Sequence, residues 1–142
     1  MTGGGWIMSP AGAYTVNPAM TGKANFGFVS KYQKGANVPK GETQFVFKSA
    51  NLDFQSTSYE WLVVAGARAQ FKGVGTINGS GSYGFLLTAI DGALISGGGP
   101  DKFRIMIWDK ESDQIIYDNL IGAADTADPS TAIGGGSIVI HK

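Results

Sequence analysis

Two runs of alternating side chains separated by a polar gap constrain the fold most. They are Lys102-Phe-Arg-Ile-Met-Ile-Trp-Asp109 and Gln114-Ile-Ile-Tyr-Asp118, with Lys110-Glu-Ser-Asp113 between them. Both arms are aromatic and β-branched, and the gap has the polarity of a solvated turn, so the pair reads as an antiparallel β-hairpin. The theme recurs along the chain. Phe26 and Phe28 share one face of Ala24–Ser30, Phe45 and Phe47 one face of Thr43–Lys48, and Leu52 and Phe54 one face of Asn51–Gln55. Glu60–Ala65 is a continuous apolar run, too short for period alone to separate strand from helix. Ala67–Ile77 and Ser82–Ile90 are joined through Asn78-Gly79, a strong hairpin signal, and Ser137–His141 reads as a last strand. About nine or ten strands at this spacing predict an all-β, antiparallel two-sheet β-sandwich, with a β-barrel as the alternative. The expected core includes Phe26, Phe28, Phe45, Phe47, Leu52, Phe54, Leu62, Val64, Phe71, Phe85, Leu87, Ile105, Ile107, Ile115, Ile138 and Ile140. The best helical stretch, Ala123–Ala132, is limited to a turn or two by Pro129.

Composition narrows the classes of function. The 142 residues suit one domain, and 22 glycines without a fixed period fit many turns rather than a collagen repeat. Eleven basic residues balance eleven acidic ones with no basic run, which argues against nucleic acid as a partner. No apolar stretch reaches the length of a membrane-spanning helix, so membrane insertion is not expected. The absence of cysteine removes thiol catalysis, disulfides and cysteine-bound zinc together. The first residues lack the pattern of a signal peptide. If the protein is secreted, residues 1–142 are a single module excised from a longer chain, with Met1 an added start.

Several segments carry a resemblance. They are Gly3-Gly-Gly-Trp-Ile7, Gly22-Lys-Ala-Asn-Phe-Gly-Phe-Val29, Ala67-Arg-Ala-Gln-Phe-Lys-Gly-Val-Gly75 and Tyr83-Gly-Phe-Leu-Leu-Thr-Ala-Ile-Asp-Gly92. Asp101–Asp109 and the final Gly134-Gly-Gly-Ser-Ile-Val-Ile140 complete the set. In this order they resemble a C-terminal β-domain of large secreted bacterial proteins that carry hyalin-repeat, polycystic-kidney-disease-type or immunoglobulin-like modules. The resemblance spans nearly the whole chain. It implies a secreted or cell-surface setting, other modules of the parent protein as partners, and a non-enzymatic role; it assigns no functional residue.

Candidate sites follow from strand geometry. If Arg104 lies roughly opposite Asp118, then Asp91, Asp101, Asp118, Asp125 and Asp128 are all expected near one edge of the fold. Calcium takes six to eight oxygens from carboxylates and loop carbonyls, so it is the cofactor this cluster would hold. The competing reading is favoured: Asp118 pairs with Arg104 and the other aspartates cap turns. Asp109, Glu111 and Asp113 sit at the opposite turn, about 20 Å away, and read as a solvated tip.

Tyr59, Trp61 and Trp108 are the candidate ligand-binding residues, because aromatic faces with polar edges suit surface glycans or protein partners. By alternation Tyr59 and Trp61 are expected on one face, while Trp108 leaves the face of Ile105 and Ile107. Gly73-Val-Gly-Thr-Ile-Asn-Gly79 fails as a nucleotide loop, since strand continues where a helix would have to start. No catalytic residue is assigned. The single histidine, His141, reads as solvated, and Glu60 with an aspartate could mimic a glycoside-hydrolase pair in any chain this acidic. Lys23, Lys48 and Asn25 offer a minor route to an isopeptide cross-link. The leading expectation is a non-catalytic extracellular accessory module for structure, adhesion or ligand display. A carbohydrate-binding module and then a carboxylate-dependent hydrolase are its rivals.

Overall fold

The computed structural model describes residues 1–140; His141 lies outside the described residues. The chain is all-β, with strands β1 (Thr2–Ser9), β2 (Gly22–Lys31), β3 (Lys40–Phe47), β4 (Leu52–Ala65) and β5 (Arg68–Ile77) followed by β6 (Ser80–Ile90), β7 (Lys102–Asp109), β8 (Ile115–Asp118) and β9 (Gly135–Val139). Consecutive strands pair antiparallel from β1 to β8, and β9 returns to pair with β1, giving one sheet in the order β8-β7-β6-β5-β4-β3-β2-β1-β9. The strands thus form one hydrogen-bonded sheet, where two sheets were expected. Asn78 and Gly79, at φ 53° and 79°, form the two-residue hairpin turn that their sequence predicts. Among the described residues no helix is long and apolar enough to cross a membrane.

The sheet curls strongly, in the manner of a half-barrel. β2 and β7 are five strand spacings apart, about 24 Å in a flat sheet. Yet the rings of Phe26 and Phe103 stack with centroids 4.1 Å apart. The core is therefore the concave face closed on itself, where Phe28, Phe45, Phe71 and Phe85 join them. Both outer edges are covered, which protects unpaired backbone groups from other chains. Beside β8, the Asp118 N–H donates to Ala13 O at 3.0 Å and the Thr15 N–H to Ile116 O at 3.0 Å. Beside β9, the Ile138 N–H donates to Asp101 Oδ2 at 2.8 Å and the Ile140 N–H to Asp91 Oδ2 at 3.0 Å.

Bulges explain where alternation misleads. The two short runs expected at 51–55 and 60–65 are one strand, β4, whose register against β5 shifts between Ser56 and Ser58 and again between Tyr59 and Trp61. Each shift reverses the facing of later side chains. Gly73 and Gly75 lie opposite these bulges, where a Cβ would run into the carbonyls of Ser58 and Gln55; that close approach requires glycine. Val64, expected in the core, is 38 % exposed, because β3 pairs with β4 only as far as Gln55 and leaves its far half at an open rim. Leu62 is half-buried against the core for the same reason. Ile115 also leaves the core: a shift between Ile107 and Trp108 sets it opposite Trp108 on the outer face.

Two buried tyrosines tie the core to the backbone. The Tyr59 hydroxyl donates to Val29 O at 2.8 Å and lies 2.8 Å from Thr43 Oγ1, while Tyr117 Oη meets Ser9 Oγ at 2.8 Å. Burial pushes the Tyr59 phenol up to about 12 and raises that of Tyr117 further. The unfolded chain gives up these protons near pH 10 and the folded one does not. Their contribution to stability is therefore complete below about pH 10 and lost as pH rises through 12. Denaturation midpoints measured from neutral pH to pH 12 should fall steeply above 10, and less steeply in Tyr59→Phe. Identical slopes for parent and variant would refute the assignment.

Candidate ligand-binding groove

The same alternation that buries Phe71, Leu87 and Ile105 turns their neighbours outward across β4 to β7. Trp61, Lys72, Leu86 and Met106 form one cross-strand row, and Val63, Gln70, Thr88 and Arg104 form the next. Trp108 is one step further along β7, opposite Gly84. Its indole lies against that glycine, where a Cβ would fall within the ring. A cleft of about 420 Å³ opens here, with Leu86 and Met106 in its lining beside Trp61, Lys72 and Trp108.

One wall is a loop held by buried electrostatics. Arg104, 2 % exposed, donates Nε to Asp118 Oδ1 at 3.0 Å and Nη2 to Asp118 Oδ2 at 2.9 Å, a bidentate pair. Its Nη1 reaches Ala124 O at 2.7 Å, so the guanidinium also fixes the chain after β8. Asn119 braces the same segment, accepting from the Ile105 N–H at 2.9 Å and donating to Phe103 O at 2.8 Å. The loop then brings Asp125 and Thr126 to the cleft.

Gln70 locks loop to sheet. Its Nε2 donates to Asp125 O at 2.9 Å and Thr88 Oγ1 at 3.1 Å. The first partner is a carbonyl and can only accept, so the amide orientation is fixed and both N–H bonds are used. From the turn after β7, Asp113, at φ 60°, adds a carboxylate to the opposite rim. Lys72 Nζ lies 5.6 Å from the centroid of the Trp108 ring, within cation–π range.

The candidate residues read from the sequence separate into three groups. Trp61 and Trp108 line the groove together. Tyr59 does not: the shift between Ser56 and Ser58 sets it into the core, 8 % exposed, and the shift between Tyr59 and Trp61 reverses the facing again, so the two do not share a face. The five aspartates do not form one cluster. Asp91 and Asp101 come together at the β6–β7 connection, where they receive the N–H groups of Ala93 and Gly92 as well as those of Ile140 and Ile138. Asp118 is consumed by Arg104, and Asp128 pairs with Arg68 at 2.9 Å. Asp125 lies apart, in the groove. Among the described residues no three acidic or histidine side chains gather as a metal-binding group. Of the isopeptide candidates, Lys23 has its Nζ 4.5 Å from the Trp6 ring centroid.

Sequence reasoning missed Gln70, Lys72 and Asp113. Outward parity beside Phe71 was the signal for the first two; Asp113 gave none, since a polar turn residue looks the same whether or not a loop faces it. Compared with protein-family models, curated proteins and solved structures, the chain matches none.

Proposed function

We propose that the protein is a non-catalytic accessory module of a secreted or surface-attached protein and that it displays the Trp61–Trp108 groove to bind carbohydrate. The observation that carries this reading is the pairing of two half-buried indoles with Gln70, Asp113 and Asp125 in one open cleft. Sugar rings offer apolar C–H faces to aromatic surfaces and hydroxyls to carboxylate and amide oxygens, so this combination suits them better than it suits a purely apolar ligand. The secreted setting rests on the resemblance described above. Calcium stays outside this reading, because four of the five aspartates proposed for it already accept protein hydrogen bonds or ion pairs.

Titration of tryptophan fluorescence with β-1,4-linked gluco- and N-acetylglucosamine oligomers tests the reading. Saturable changes are expected, and Trp61→Ala or Trp108→Ala should each weaken binding about tenfold, the effect of removing an aromatic anchor worth about 1.4 kcal/mol. Gly84→Val should do the same by unseating Trp108. No response to any oligomer would defeat the reading. Release of new reducing ends during the titration would replace it with the hydrolase.

A further inference from the structure

We infer that the groove selects sugars bearing a free amino group, an inference that rests on the carbohydrate reading above. The lining has a surplus of acceptors. Gln70 is only 9 % exposed, both its N–H bonds are committed, and its Oε1 has no partner among the described residues. The carboxylates of Asp113 and Asp125 likewise accept no hydrogen bond there, and neither belongs to the two ion pairs of the described residues, Arg68–Asp128 and Arg104–Asp118. Against these three acceptors the lining offers one cation, Lys72.

A neutral hydroxyl brings one proton to such a site and no charge. An ammonium brings three protons and the charge that two carboxylates and one lysine leave uncompensated. Lys72 Nζ lies 5.6 Å from the Trp108 ring centroid, so its charge already faces that indole and the ligand's ammonium belongs with the acceptors Asp113, Asp125 and Gln70. A uronic or sulfated sugar would instead place its anion against Asp113 and Asp125, which disfavours acidic glycans. Because both aspartates are exposed, the discrimination must weaken with salt.

The experiment is calorimetric titration at low ionic strength, below the amine's pKa, with three probes: a β-1,4 glucosamine tetramer, its fully N-acetylated counterpart and a tetralysine peptide. The glucosamine tetramer is expected to bind about tenfold more tightly than the acetylated one, the advantage shrinking as salt is raised and disappearing in the Asp113→Asn, Asp125→Asn double variant. Both aspartates are exposed, so this variant should fold. Equal affinity for the two tetramers, or tighter binding of the acetylated one, overturns the amino-sugar inference and leaves carbohydrate binding standing. Tetralysine binding as tightly as the glucosamine tetramer also overturns it, since charge without a sugar ring would then suffice. If neither sugar binds, both readings fall.

Discussion

Replacing Asp118 with Ala should destabilise the protein by about 3–5 kcal/mol, because it leaves the Arg104 guanidinium buried without its anion. Both side chains are almost wholly enclosed, 2 % and 1 % exposed, so solvent cannot take over the lost role. Arg104→Ala should cost a similar amount, since it strands the carboxylate and releases the Ala124 carbonyl together. The pair itself is worth far less than either single change suggests, as desolvating two ions offsets most of their attraction. Arg104→Met combined with Asp118→Leu should therefore recover part of the loss. Guanidinium denaturation of the parent, both single variants and the double variant measures this cycle. A single-variant loss under 1 kcal/mol would show that the interior tolerates the bare ion. Since Arg104 also anchors the loop carrying Asp125, ligand affinity should fall in the single variants even where they remain folded.

The second large effect belongs to Phe103. Its ring is fully buried on β7, stacked 4.1 Å from Phe26, with Phe28 at 6.4 Å and Phe45 at 6.1 Å. These contacts join opposite sides of a curled sheet, so the ring spans the point where the two halves of the concave face meet. Phe103→Ala should cost about 3–5 kcal/mol, combining lost transfer energy with a cavity that rigid strands on both sides cannot collapse. Val64→Ala, at the exposed rim, should stay within about 0.5 kcal/mol and serves as the matched control. Similar losses for the two variants would mean that the interior is not organised around the β2–β7 contact.

Strand positions were legible wherever large apolar residues alternate, as in β2, β3 and β7, because a two-residue period leaves no other economical way to bury them. β1 was hidden. Gly3, Gly4 and Gly5 have no side chains with which to show alternation, and only pairing with β2 and β9 makes that segment a strand. The facing of Tyr59 was misread because a bulge leaves no mark in a single strand's pattern; its marks are on the neighbour, at Gly73 and Gly75. The groove was half legible. Trp61 and Trp108 announce themselves by residue type, whereas Asp125 reaches the cleft through a loop held by Arg104 and Gln70, and Asp113 through the β7–β8 turn, where its N–H donates to Asp109 O. Of the aspartates proposed for calcium, only Asp91 and Asp101 meet, and their oxygens answer backbone N–H groups; Asp118 and Asp128 answer arginines, and Asp125 stands apart in the groove.

The pairing of β1 with β9 has a mechanical consequence. Thr2 lies opposite Val139, so the outer ends of these two strands are neighbours. A force applied between them would draw β1 and β9 apart sideways, loading the ladder bonds one after another in the way a zipper opens, whereas strands pulled lengthwise share the load. Pulling the molecule by residues 2 and 139 in an optical trap should therefore detach β9 early and at low force, before the aromatic interior yields. Rupture of the whole fold in one high-force step would contradict this. Tethered at those two points, the fold would yield first at its β9 edge and keep its aromatic interior intact.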